Sequence, residues 1–236
     1  YGGTSWAMRP EIEFIAKKLA LQPGQHLLDL GAGTGWPGLY LATLSGCDLS
    51  LTDHSRAGLD IALKRAKIDK LPGKCTVATA DARDLPYDDD NFHAITHSDV
   101  LCCLAGKQQV LAECRRVIRA DGQMIFSVIS IDQGAGDTDN AKIIQYGPPN
   151  IDIVAKTSYE EMLGLTGWNI TQKIDQSAQF LESIKIHLKD IRRKKADLAP
   201  ELGDEDYKFS NEKYTTYLDC ISRGVMRRDI YVASPG

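Results

Sequence analysis

The chain has 236 residues, 43% of them apolar and 25% charged, with a formal net charge of −4 at pH 7. This length suits one α/β domain with an elaboration, large enough to bury a core without disulfide or metal support. The mild acidity argues against broad adhesion to nucleic acid or anionic lipid, and no apolar run approaches the roughly 20 residues that cross a bilayer.

Read in chain order, short β-rich runs alternate with amphipathic stretches, the pattern of a parallel sheet with helices on both faces. The first helix is expected to include Glu11 to Leu21, with Ile12, Ile15 and Leu19 on its apolar stripe, and Pro23-Gly24 breaks it. Strand one is His26 to Leu30. A glycine loop follows, then a helix from about Pro37 to Ser45 with the proline suited to its first turn. Strand two is Asp48 to Asp53, followed by a helix from about Ser55 to Ile68. Strand three is Cys75 to Ala80, and strand four is Ala94 to His97. A helix from about Lys107 to Ile118 is expected to end at Ala120-Asp121-Gly122, with the glycine as a left-handed cap. Strand five, Gln123 to Ile131, is apolar throughout and so reads as central.

Beyond strand five the pattern loosens. Gln133 to Asn140, rich in Gly and Asp, reads as a mobile loop. Tyr159 to Leu165 reads as a short helix and Trp168 to Ile174 as strand six. Two consecutive amphipathic helices follow, one carrying Phe180, Ile184, Leu188 and Ile191 and the other Tyr214, Tyr217, Leu218 and Ile221. Arg228 to Ala233 is the last strand. The fold expected is therefore α/β, a doubly wound, mostly parallel seven-stranded sheet with a helical insert before its last strand. One domain spans residues 1–236. Within it, 1–23 are expected to form an N-terminal helical lid segment, 24–131 the ligand-binding core, and 177–224 an insert that caps a site.

The sequence Asp29-Leu30-Gly31-Ala32-Gly33-Thr34-Gly35 lies between a strand and a helix. Glycines there permit positive φ and close backbone approach to a ligand, at the strand end where open α/β sheets bind ligands. A dinucleotide fingerprint would need glycine at position 36, which is Trp36. Asp53 closes strand two and Asp81-Ala82 follows strand three. For Asp53 the alternative role is a helix N-cap, which Ser55 is equally placed to fill.

With these residues the chain resembles the class I S-adenosylmethionine-dependent methyltransferases, well over residues 24 to 131 and in outline elsewhere. The resemblance implies that Gly31, Ala32, Gly33 and Gly35 pass under the methionine part of S-adenosylmethionine. It implies that Asp29 orders the loop near the cofactor's amino group, and that Asp53 accepts from the ribose hydroxyls. His54 would lie along the adenine face, and Asp81 with the Ala82 N–H would meet the adenine. The stretch from Asn91 to Leu101 is similar to the family's fourth-strand motif, which makes His97, Ser98 and Asp99 the candidates facing methyl donor and acceptor, His97 also as a cofactor contact. His97 packed in the core is the alternative reading. Glu113 to Gly122 resembles the helix and turn into strand five, without the commoner Pro-Gly-Gly ending.

The activity implied is methyl transfer to a small-molecule acceptor on N, O or C by in-line displacement, leaving S-adenosylhomocysteine. No metal-ligand constellation is read, since His and Asp are scattered. An RNA or protein methyltransferase would call for a basic face or the Asn-Pro-Pro-Tyr type of motif, and Pro148-Pro149-Asn150 lies beyond strand five. A non-catalytic cofactor-binding module is the third reading, and a NAD-dependent oxidoreductase a distant fourth. Tyr214 and Tyr217 offer an aromatic wall or simple packing, and Arg192-Arg193-Lys194-Lys195 an anion site or a solvated helix end. Six cysteines without a CxxC pair read as reduced thiols of a cytoplasmic protein. Tyr1 to Trp6 carries no signal-peptide pattern, and the absence of an initiating Met suggests that the sequence begins inside a longer chain.

Overall fold

The computed structural model describes residues 5–132, 134–152, 157–193 and 203–236. The readings made on Tyr1 to Thr4, on Gln133 and on Lys194 and Lys195, and the middle of the helical insert, fall outside those residues.

Seven strands form one sheet: β1 (His26–Leu30), β2 (Asp48–Asp53), β3 (Cys75–Thr79), β4 (Phe92–Ser98), β5 (Ile118–Ile131), β6 (Trp168–Asp175) and β7 (Met226–Pro235). Their order is β3-β2-β1-β4-β5-β7-β6. β1 to β5 pair in parallel, while β7 runs antiparallel between β5 and β6. Strand order reverses between β1 and β4, which opens a crevice at their carboxyl ends.

Among the described residues eight α-helices accompany the sheet: α1 (Arg9–Leu19), α2 (Gly38–Ser45), α3 (Arg56–Ile68), α4 (Lys107–Val117), α5 (Asp137–Tyr146), α6 (Tyr159–Leu165), α7 (Ser177–Arg193) and α8 (Asp204–Ser222). None is long and apolar enough to cross a membrane. The two-residue alternation of the strands sorts the core into two layers. Leu28, Ile95, Phe126 and Tyr231 point into the layer shared with α4, α6, α7 and α8. Their neighbours Leu27, Ala94, Ile125 and Val232 point into the layer shared with α1, α2 and α3.

Three local expectations are corrected. Helix α1 stops at Leu19 because Ala20 takes a left-handed conformation (φ 46°) and its N–H closes onto the Ala16 carbonyl. Helix α4 does not run to a glycine cap: Ile118 is already extended (φ −85°, ψ 142°). Phe92 pairs with Ile118 and Ala94 with Gln123, so Arg119 to Gly122 bulge out of β5. Gly122 is needed there for close packing, since a Cβ would meet Ile118 Cγ1 at 2.7 Å and the His93 carbonyl at 3.0 Å. The stretch read as a mobile loop contains the start of α5. Asp137 and Asp139 lie in its first turn, where acids suit the helix dipole. Asp139 is gripped by Arg223 at 2.7 and 2.9 Å, and Ile143 is buried.

Candidate active site

The glycine loop turns directly out of β1. Gly31, Gly33 and Gly35 have φ of 67°, 51° and 99°, so the loop uses the left-handed region three times in five residues. Gly31 N–H and Ala32 N–H both donate to the Thr52 carbonyl at 2.7 and 3.1 Å, tying the loop to the end of β2.

Two acids hold this turn in different ways. Asp29 is 1% exposed, and its Oδ2 accepts from the Gly38 N–H at 2.9 Å. Its Oδ1 has no partner. Burial, little offset by that hydrogen bond and aided by repulsion from Asp53, pushes the Asp29 carboxyl up to about 7. Asp53, 8% exposed, accepts from Gly33 N–H at 2.8 Å on Oδ2 and from Ser55 N–H at 2.7 Å on Oδ1. Ser55, not Asp53, caps α3, through its side chain onto Gly58 N–H. A carboxylate has about four acceptor positions, so Asp53 keeps lone pairs for a ligand.

A cleft of about 570 Å³ opens beside these residues. Its walls include Gly31, Asp53, His54, Asp81, Ala82 and Cys103, residues from the ends of β1, β2 and β3 and from the loop after β4. His54 is exposed, with Nδ1 3.2 Å from Asp53 Oδ1. Asp81 is half exposed, and Arg83 donates to it through Nη2 at 2.6 Å; that guanidinium holds the Asp81 carboxyl down to about 2. Asp53 and Asp81 thus meet Gly31 in the cleft wall, while Asp29 lies buried beneath the glycine loop. An orphaned, buried carboxylate oxygen and an acid with spare lone pairs fit a ligand that carries an ammonium at one end and hydroxyls in the middle.

The three candidates at the end of β4 separate. His97 is 1% exposed and lies outside the cleft lining. Its ring stacks on Phe126 (centroids 4.4 Å, 21°), and neither nitrogen has a partner; burial drives its pKa down to about 3. Ser98 points to the opposite side of the sheet, with Oγ 2.8 Å from Ser5 Oγ and 3.2 Å from Ser127 Oγ. Asp99 has φ 56°, and both its oxygens accept from Arg228 Nε at 2.9 and 3.0 Å.

Arg228 was read from sequence only as the start of the last strand, yet it organises this side. Fully buried, it also donates Nη1 and Nη2 to Glu11 at 2.7 and 2.9 Å, and Nη2 to Ser127 Oγ at 2.7 Å. Sequence offered little signal for it, because Arg228 stands between Arg227 and Asp229 in the charged start of the strand. Asn150, set aside as part of an unrelated motif, lines the cleft and donates Nδ2 to the Cys103 carbonyl at 2.8 Å.

The N-terminal segment meets the helical pair here. The Trp6 ring lies 5.5–6.4 Å from the rings of Phe180, His187, Tyr214 and Tyr217, and Trp36 Nε1 donates to the Ala7 carbonyl at 2.9 Å. Arg192 donates to Asn211 and Thr215, and Arg193 pairs with Asp190, on exposed helix surface.

Residues 28–126 match the family described as "Methyltransferase domain". The chain is 26% identical over 224 residues to phosphoethanolamine N-methyltransferase 1 of Zea mays, covering 94% of this chain and 43% of that protein. It is 29% identical over 131 residues to methyltransferase GfsG of Streptomyces halstedii, covering 56% and 47%. The chain thus spans less than half the length of these two relatives. Its fold is shared with phosphoethanolamine N-methyltransferase 2 of Haemonchus contortus, solved with phosphomonomethylethanolamine and S-adenosylhomocysteine (TM-score 0.81, 17% identity, 97% of this chain and 53% of that one). Residues 28–126 thus match a methyltransferase domain, and the chain shares the fold of a methyltransferase solved with S-adenosylhomocysteine.

Proposed function

We propose that this protein transfers the methyl group of S-adenosylmethionine to a small-molecule acceptor. The observation that carries the reading is Asp53, which pins the glycine loop through Gly33 N–H and still offers acceptor positions to the cleft. In this reading Asp29 and the loop from Gly31 to Gly35 take the amino-acid end, Asp53 the ribose, and His54, Asp81 and Ala82 the adenine. The unpaired Oδ1 of Asp29 gains an ammonium partner when the cofactor is in place.

Bound there, the cofactor would supply an electrophilic methyl on a sulfonium, open to in-line displacement by a nucleophilic N, O or C atom of the acceptor. The protein's part is to align the two and keep water out, which lowers a barrier by up to about 7–11 kcal/mol. Ser98 and Asp99 order the strand end that faces the acceptor, through Ser5 and Arg228; His97 supports the same strand from the core. Residues 5–23 and the helical pair α7 and α8 enclose the acceptor, with Trp6 as their shared contact. N-, O- and C-methylation all remain within this reading. The six free cysteines favour a reducing, cytoplasmic setting.

Calorimetric titration with S-adenosylmethionine, S-adenosylhomocysteine and NAD tests the cofactor. Tight binding of the first two is expected, and binding of NAD alone, or of none, would sink the reading. Asp53→Ala should weaken S-adenosylhomocysteine by more than about 1 kcal/mol, the scale of a lost charged hydrogen bond.

A further inference from the structure

Directly after Asp99, the 3₁₀ turn Leu101–Cys103 carries two adjacent cysteines. Both thiols donate to one acceptor, the Asp99 carbonyl, with Cys102 Sγ at 3.2 Å and Cys103 Sγ at 3.5 Å. Two sulfurs that reach the same oxygen are neighbours in space as well as in sequence. Their surroundings differ: Cys102 is 1% exposed behind the turn, whereas Cys103 lines the cleft. Asn150 pins the backbone between them and the cleft mouth.

We propose that Cys102 and Cys103 form a peroxide-sensitive dithiol in the wall of the cofactor cleft, Cys103 as the attacking sulfur and Cys102 as the resolving one. The proposal rests on the assignment of that cleft to the cofactor. The adjacent Cys102 thiol, with Lys213 and Lys107 nearby, holds the Cys103 thiol below its ordinary range against the opposing effects of burial and the Asp99 carboxylate. Contact with Cys103 and burial raise Cys102. A thiol of lowered pKa in the cleft wall beside a sheltered partner of raised pKa is the division of labour that stepwise oxidation uses.

The step balances with a peroxide as oxidant. Cys103 thiolate attacks one peroxide oxygen, the O–O bond breaks, and the departing hydroxide takes a proton to leave as water. The resulting sulfenic acid is attacked by the Cys102 sulfur; the S–S bond forms, the S–O bond breaks, and a second water leaves with the Cys102 proton. Two electrons pass from the sulfurs to the peroxide. Adjacent residues have Cα atoms about 3.8 Å apart, closer than the roughly 4.4–6.8 Å of ordinary disulfides. The bond is therefore strained and readily reduced. Forming it releases both S–H···O contacts to Asp99 and reshapes the turn that carries Cys103 and Leu104 along the cleft.

The test uses the intact protein and trypsin, because the peptide 84–107 holds Cys102 and Cys103 and no other cysteine. The reduced protein is first titrated with S-adenosylhomocysteine. Treatment with hydrogen peroxide should then make this peptide two hydrogen masses lighter and weaken S-adenosylhomocysteine at least about tenfold; dithiothreitol should restore both. Saturating S-adenosylhomocysteine should slow alkylation of Cys103 by iodoacetamide. Cys102→Ser should stop at a dimedone-reactive sulfenic acid on Cys103, and Cys103→Ser should leave affinity indifferent to peroxide. Absence of the lighter peptide, or an oxidised protein that binds as before, overturns the proposal. A reduced protein that never binds S-adenosylhomocysteine overturns the cofactor reading instead, and the peptide mass still decides whether the dithiol closes.

Discussion

The two flanks of the β1–β4 crevice use acidic side chains in opposite ways. On the β1–β2 side, Asp29 and Asp53 are held by backbone N–H groups of Gly38, Gly33 and Ser55, and each retains unused acceptor capacity. On the other side, Glu11 and Asp99 converge on one buried guanidinium, Arg228, which also takes Ser127. The first arrangement leaves room for a ligand; the second closes upon itself and joins α1, the end of β4, β5 and β7. Backbone amides make a receptive flank and a shared arginine makes a rigid one, because buried charges are stable only when their partners are fixed.

Removing the shared cation strikes the rigid flank hardest. Arg228→Met leaves Glu11 buried and unpaired and Asp99 without its donor, so urea denaturation should show a loss of about 3–5 kcal/mol. Adding Glu11→Gln should recover part of that loss. An unchanged midpoint would mean that the network carries no stability.

The receptive flank should reveal itself in pH dependence. In the folded state Asp29 titrates near 7 instead of its ordinary 3.8, so between these values the fold binds a proton that the unfolded chain has released. Asp29 therefore supports the fold fully below pH 3.8, and its support is lost as pH rises through 7. His97 has the opposite sign: it titrates near 3 instead of 6.5, so its support is full above 6.5 and fades as pH falls. Between about pH 4 and 6.5 the two slopes, each about 1.4 kcal/mol per pH unit, oppose one another. Asp29→Asn should unmask stability that climbs with pH across this window, and His97→Phe stability that declines. Identical pH profiles in wild type and both variants would refute the pair.

Smaller still, His97→Phe should raise stability at pH 7 by roughly 1 kcal/mol, by removing two unpartnered ring nitrogens from the core, and should leave turnover intact. A collapse of turnover with unchanged cofactor affinity would return His97 to the chemistry. On the cleft side, Asp53→Ala should shift the unfolding midpoint less than Arg228→Met while weakening the cofactor, which separates binding from support.

The legible part of this molecule is the part whose causes are local. The run from His26 through Asp53 places strand, glycine loop and helix by residue type alone, and the three glycines fall where positive φ is required. The helical pair was legible from its apolar spacing. Tertiary packing decided the remainder. Nothing near Arg228 in sequence announces Glu11, its partner 217 positions away. His97 and Ser98 are consecutive, so they face opposite sides of the sheet, and only the sheet's neighbours say which side is core and which meets Ser5. Gly122 carries the expected conspicuous role, but the role is close approach to His93, not a left-handed cap.

The position of β7 bears on how the chain acquires its fold. β7 follows every other described strand in sequence, yet it inserts between β5 and β6, and among the described residues β6 pairs with no other strand. During synthesis from the N-terminus, β6 waits without a hydrogen-bonded neighbour until residues 226–235 have emerged. Glu11, made 217 residues before its arginine, waits longer still. The glycine-loop half can assemble as it is made, whereas completion of the sheet must await residues 226–235, leaving the edges of β5 and β6 exposed to mispairing in the interval.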